Sequence, residues 1–173
     1  MVKIAFGYDR RVGKDTSCDY LLSKYGGIKL SFAAPLYDIL GYAQKVCGFP
    51  RTKDRKFLQF IGTEWARHTN KNVWVDLLKN KVLENAHQNI FVSDLRFQNE
   101  FKVLKSLGFV CVRIVGDSKI ASDGYSNHQS DNDLADCTDW DWVIENKGEL
   151  QELCAKLDQV YKECVSTIFC QPV

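Results

Sequence analysis

Two short clusters of residues have the types and spacing needed to handle phosphate. The first is Gly13-Lys14-Asp15-Thr16, which follows an apolar run at residues 2–7 and has Arg10 and Arg11 just ahead of it. A Gly-Lys pair at the opening of a helix lets backbone N–H groups and the positive helix end surround a phosphate, while the lysine adds a mobile charge. The second cluster is Asp94-Leu95-Arg96, which closes another apolar run, residues 89–94. Phosphoryl transfer depends mainly on positioning and charge stabilisation. Asp94 suits a magnesium ion or its waters, and Arg96 suits a phosphate. Against the pattern G-x-x-x-x-G-K-[ST] the loop is altered: Tyr8 stands where the first glycine belongs, Gly7 lies one place earlier, and Asp15 replaces Ser or Thr. An ordinary strand, turn and capped helix, with a surface ion pair at Asp94 and Arg96, would fit the same residues.

The elements that must position these groups follow from periodicity. Residues 2–7, 28–32, 89–94, 109–115 and 140–144 are apolar runs of strand length, and residues 89–94 end on a carboxylate. Between them lie helical patterns: Cys18, Leu21, Leu22 and Tyr25; Leu36, Ile39, Leu40, Ala43 and Val46 after Pro35; Phe57, Leu58, Ile61 and Trp65; Trp74, Leu77, Leu78 and Val82; Phe97, Phe101 and Leu104. A last regular stripe runs from Leu150 to Cys164. Strands alternating with helices predict a parallel sheet covered on both faces, with ligands at the carboxyl ends of its strands. Gly62, inside the helical pattern of residues 53–67, costs about 1 kcal/mol against alanine and marks a place where a ligand could come close. Residues 116–136 are polar and rich in Gly, Ser, Asp and Asn, as expected of a lid.

The 173 residues suit a single domain. A net charge of +1 argues against a nucleic-acid partner, since such proteins usually carry a strong basic excess. The seven cysteines show no metal-binding spacing and fit a reducing compartment, which predicts a cytosolic protein. No run approaches the ~20 apolar residues of a membrane span, so no membrane partner is expected. His128 reads as a surface or lid residue, and the four tryptophans, Trp74 excepted, read as core anchors.

Taken in order, GYDRRVGKDT, LQFIGTEWAR, NVWVDLL, VSDLRFQNE and VIENKGELQEL resemble the deoxynucleoside monophosphate kinases of bacteriophages and large DNA viruses, over residues 3–157. The resemblance implies an α/β chain with the P-loop nucleoside-monophosphate-kinase fold: a five-stranded parallel sheet covered by helices on both faces. It also implies one domain, 1–173, with a helical acceptor-binding subdomain at 35–86 and a lid at 116–136. Gly13, Lys14, Asp15 and Thr16 match the ATP-phosphate loop of similar proteins, and Arg10 and Arg11 match basic positions facing the phosphates or the monophosphate. Leu36 and Tyr37, within APLY, match the opening of the monophosphate subdomain. Lys56, Gly62, Thr63 and Trp74 match positions lining the acceptor nucleotide. Asp94, Arg96 and Glu100 match positions at the magnesium, the acceptor phosphate and the acceptor base or sugar. Asn146 and Gly148 match the loop beside adenine. Gly116 stands where similar proteins often carry an arginine, leaving lid charge to Lys119 or Arg113.

The function so implied is transfer of a phosphoryl group from ATP, with Mg2+, to a deoxynucleoside monophosphate. Lys14, Asp94 and Arg96 would be its catalytic residues, its partners would be small molecules only, and a homodimer is left open. If viral, the protein would work in the host cytoplasm. Two other readings stand beside it. Phosphomevalonate kinases of animal type share a similar GKD loop, and a nucleotide-binding module without catalysis would tolerate the altered loop. Trp74 and Glu100, which suit a base, favour the nucleotide.

Overall fold

The computed structural model describes residues 1–7, 9–116 and 132–169. Five strands, β1 (Lys3–Gly7), β2 (Ile28–Leu30), β3 (Ile90–Leu95), β4 (Val110–Gly116) and β5 (Trp142–Asn146), form one sheet in the order β2-β3-β1-β4-β5, with every pairing parallel. Parallel strands need crossovers, and helices make three of them: α1 (Lys14–Tyr25) joins β1 to β2, α2 (Ala34–Val46), α3 (Arg55–Gln59), α4 (Ala66–Thr69) and α5 (Val73–Glu84) join β2 to β3, and α6 (Gln98–Ser106) joins β3 to β4, while α7 (Leu150–Phe169) follows the last strand. The central strands are buried on both faces and divide their side chains between two cores. Ile4 and Phe6 pack with Phe91, Val112 and Ile114 against α1 and α7, while Ala5, Ile90 and Val92 pack against α5 and α6.

Several boundaries differ from the apolar pattern for identifiable reasons. The strand predicted over 28–32 ends at Leu30 because the N–H groups of Phe32 and Ala33 turn to the Asp94 carboxylate. The helix predicted over 53–67 is not uniform. Between α3 and α4 the residues Phe60–Trp65 form a π-helical turn, in which the Ala66 N–H reaches back five residues to the Ile61 carbonyl. Ala66 therefore turns inward, and Trp65, predicted to lie on the apolar stripe, is 56% exposed. Val46, Leu77 and Leu150, predicted on buried stripes, are also exposed.

Of the stretch predicted as a lid, residues 117–131, with Lys119 and His128, lie outside the described residues. Its two ends belong to the packed fold: Gly116 pairs with Asn146 as the end of β4, and Leu134 sits fully buried in the core. The segment carrying Leu134 is tied to the start of α6, where the Gln98 N–H donates to Asp133 Oδ2 at 2.8 Å.

The first turn after β1 has its own geometry. The register slips between Ala5 and Gly7, and a Cβ on Gly7 would stand 2.6 Å from the Trp140 ring and 2.8 Å from the Leu95 carbonyl. Gly7 is thus a packing glycine inside the sheet. Tyr8 lies outside the described residues.

Candidate active site

At the carboxyl ends of β1, β2 and β3 lies a cavity of about 750 Å³, within the usual size range of small-molecule sites. The phosphate loop and α1 form one wall. The β2–α2 turn, α2, α3 and the π-helical turn form another, and the segment after β3 forms the floor. Among the described residues, seven lysine and arginine side chains line it against three carboxylates. Such a surface suits ligands carrying several negative charges.

On the loop side, Gly13 takes a left-handed conformation (φ 97°) directly before α1, and its carbonyl accepts from the Ser17 N–H and hydroxyl, both at 2.9 Å. Asn146 braces the loop from β5: its Nδ2 donates to the Val12 carbonyl at 2.9 Å and lies 2.9 Å from where a Gly13 Cβ would be. Lys14 is 7% exposed and donates to the Asp9 carbonyl. Burial, and next the nearby Arg96, bring its ammonium down to about 8 from the ordinary 10.5. Asp15 Oδ1 accepts from Ser93 Oγ at 2.7 Å and faces Lys29 Nζ at 2.9 Å. Burial opposes the charge on Asp15, but the hydrogen bonds from Lys29 and Ser93 hold its carboxyl below the ordinary value.

At the end of β3, Asp94 latches the start of α2. Its Oδ2 accepts from Ser31 Oγ (2.7 Å) and the Ala33 N–H (2.9 Å), and its Oδ1 accepts from the Phe32 N–H (3.1 Å). Glu100, 1% exposed, is similarly committed. Its Oε2 accepts from the N–H groups of Arg96 (2.9 Å) and Phe97 (3.1 Å), closing the start of α6, while Oε1 pairs with Arg67. Burial pushes the Glu100 carboxyl up to about 7, against the pull of Arg67. The Arg67 guanidinium carbon lies over the Phe97 ring, 3.9 Å from its centre. Trp74 is 4% exposed and uses its indole N–H on the Gly62 carbonyl at 2.9 Å.

The structure brings together most residues singled out from the sequence. Arg10, Arg11, Gly13, Lys14, Asp15, Thr16, Leu36, Tyr37, Gly62, Thr63, Trp74, Asp94, Arg96 and Glu100 all line this cavity. Lys56, Asn146 and Gly148 do not: Lys56 is exposed on α3, where Lys53 and Arg55 face the cavity instead, and Asn146 stands behind the loop. Gly62 comes close to a side chain of this chain, with Leu36 Cδ1 3.0 Å from its would-be Cβ. Arg113, considered for lid charge, has Nε 3.7 Å from Asp9 Oδ2. Sequence reasoning missed Arg67, Lys53, Arg55 and Gln59. An arginine or lysine in a helical segment has no signal of its own that it faces a cavity.

The donor set also bears on magnesium. Among the described residues no group of three or more His, Cys, Asp or Glu side chains could hold a metal ion. Magnesium usually takes one or two carboxylates and completes its shell with waters and phosphates. Asp15 Oδ2 and the remaining lone pair of Asp94 Oδ1 fit that lesser share.

Comparison with known proteins decides the family. The deoxynucleotide monophosphate kinase family model matches residues 50–157. The chain belongs to this kinase family. A protein of Acanthamoeba polyphaga mimivirus with the provisional name deoxynucleotide monophosphate kinase is 29% identical over 91% of this chain and 94% of its own length. The deoxynucleotide monophosphate kinase of Enterobacteria phage T4 is 37% identical over a shorter stretch, 37% of this chain and 27% of its own. An uncharacterised protein of Ictalurid herpesvirus 1 is 32% identical over 79% of this chain and 60% of its own. Among solved structures, dephospho-CoA kinase from Campylobacter jejuni superposes with a TM-score of 0.53, covering 94% of this chain and 95% of that one at 16% identity, which places the kinase in the same fold. No described helix of the kinase is long and apolar enough to cross a membrane.

Proposed function

We propose that this kinase moves the γ-phosphoryl group of ATP to the 5′-phosphate of a deoxynucleoside monophosphate. The observation that carries the reading is the shared cavity: the phosphate loop with Lys14 and the acceptor wall with Arg96 and Arg67 face one space. The N–H groups at the start of α1 and Lys14 would hold the β- and γ-phosphates. Arg96, with the cations at the start of α3, would hold the acceptor phosphate. An acceptor phosphate oxygen attacks the γ-phosphorus, the bond to the β,γ-bridging oxygen breaks, and its electron pair leaves on the β-phosphate of ADP. The attacking oxygen is already anionic, so no general base is required. Lys14 and Arg96 stabilise the charge on the transferring group, where positioned cations act most strongly. Magnesium, when bound, would supply charge neutralisation at the phosphates, and Asp15 and Asp94 are the residues that would hold it or its waters.

Base recognition is read differently from the sequence expectation. Trp74 and Glu100 are occupied by Gly62 and by Arg67 with two backbone N–H groups. Among the described groups that line the cavity, the Tyr37 ring, the Gln59 amide and the Thr63 hydroxyl suit a base. A coupled assay of ADP release with ATP, magnesium and each of the four deoxynucleoside monophosphates tests the proposal. Turnover with at least one of them is expected. Turnover with phosphomevalonate alone would move the assignment to that acceptor, and ATP binding without turnover on any acceptor would make the chain a nucleotide-binding module.

A further inference from the structure

The π-helical turn Phe60–Trp65 is the irregular element nearest the acceptor wall, and such turns often sit at functional sites. It changes which residues face the cavity. Arg55 and Arg67, twelve positions apart, both line it. At about 100° per residue an unbroken α-helix would leave their directions roughly 120° apart. A π turn absorbs one extra residue and so reduces that difference to about 20°. The turn thereby lets α3 and α4 present Gln59, Thr63 and Arg67 to the same space as Arg55.

A turn of this kind needs support, because an α-helical register of the same residues competes with it. Trp74, at the start of α5, supplies that support. It is buried, lies across from the turn, and gives its only polar atom to the carbonyl of Gly62 in the middle of it. Leu36 from α2 packs against the same glycine, closing the side from which a Cβ would come.

We infer that Trp74 is a positioning residue whose indole N–H holds the π-helical register, and that this register sets the affinity for the acceptor by placing Gln59, Thr63 and Arg67. The inference rests on the proposed acceptor reaction but has a readout independent of it. Trp74→Phe keeps an aromatic filler and removes the N–H. Its KM for the monophosphate should rise about tenfold, while KM for ATP and kcat at saturation stay within about twofold. Deletion of the exposed Glu64 removes the extra residue and leaves Arg55 and Arg67 eleven positions apart, about 20° around an unbroken α-helix. It should keep KM for the monophosphate near that of the parent protein, and adding Trp74→Phe to the deletion should change little, since no π-helical register is left to hold. Hydrogen exchange, measured without substrates, should quicken at residues 60–67 in Trp74→Phe and stay as in the parent protein in α1 and β3. Unchanged exchange at 60–67, equal rises in both KM values, or additive effects of the two changes would overturn the inference. An enzyme inactive on every nucleotide would overturn the proposed function alone, because the exchange measurement still judges the role of Trp74.

Discussion

Replacing Lys14 by methionine should stop the enzyme and stabilise it. The ammonium is held in a largely buried place and its pKa falls from 10.5 to about 8. At 1.36 kcal/mol per pH unit, that gap means the charged lysine costs the folded state about 3 kcal/mol at pH 7. Methionine has nearly the same length and needs no solvation. Its introduction leaves the Asp9 carbonyl without the Lys14 donor, a loss of about 1 kcal/mol. The expected net gain is about 2 kcal/mol, or roughly 4–8 °C in Tm for a chain of this size. The sign with pH is fixed. Because the folded value lies below the unfolded one, the contribution of this lysine is most favourable above pH 10.5 and is lost as pH falls through about 8. The advantage of Lys14→Met should therefore be full at pH 7 and fade between pH 8 and 10.5. Urea unfolding of both proteins without ligand, at pH 7, 8.5 and 10, measures it. A variant that is less stable at pH 7, or whose advantage does not change with pH, would refute the reasoning. Turnover should meanwhile fall about a hundredfold or more.

The same lysine should shape the pH profile: kcat/KM for ATP, which reports the free enzyme, should fall above about pH 8, and Lys14→Arg should remove that limb from a profile measured between pH 6 and 10. Asp94→Asn loses one of two acceptor oxygens that hold Ser31, Phe32 and Ala33. It should destabilise the protein by about 1–3 kcal/mol in urea unfolding and raise KM for the monophosphate, as the start of α2 loosens. Gly13→Ala must adopt a left-handed conformation and set a Cβ 2.9 Å from Asn146 Nδ2. Calorimetry should show ATP affinity at least tenfold weaker with monophosphate affinity preserved.

The order of elements and the loop were legible because each has a local cause. Apolar runs of strand length, helical spacing and the Gly13-Lys14 pair are written in neighbouring residues. The π-helical turn was not, since a single residue absorbed into a helix leaves the apolar spacing of Phe57, Leu58 and Ile61 intact and shows only in the outward turn of Trp65. Leu134 was missed because a lone leucine in a polar stretch has no period, and its burial depends on Asp133 meeting the start of α6. Asp94, Trp74 and Glu100 were found as residues, but their partners were out of reach. Ser31–Ala33, Gly62 and Arg67 come to them from 61, 12 and 33 or more positions away through the tertiary fold. Which oxygen or N–H a side chain spends on the protein itself decides what it has left for a ligand, and that is settled by packing.

The central claim is that the phosphate loop and the acceptor wall serve one reaction. Incubating the protein with ATP labelled in the γ-phosphate, magnesium and each deoxynucleoside monophosphate in turn, then separating the products, tests it most directly. The account predicts label in the corresponding deoxynucleoside diphosphate for at least one acceptor, reduced about a hundredfold or more in Lys14→Met. Label released only as inorganic phosphate, or equal labelling of the diphosphate by both proteins, would contradict it.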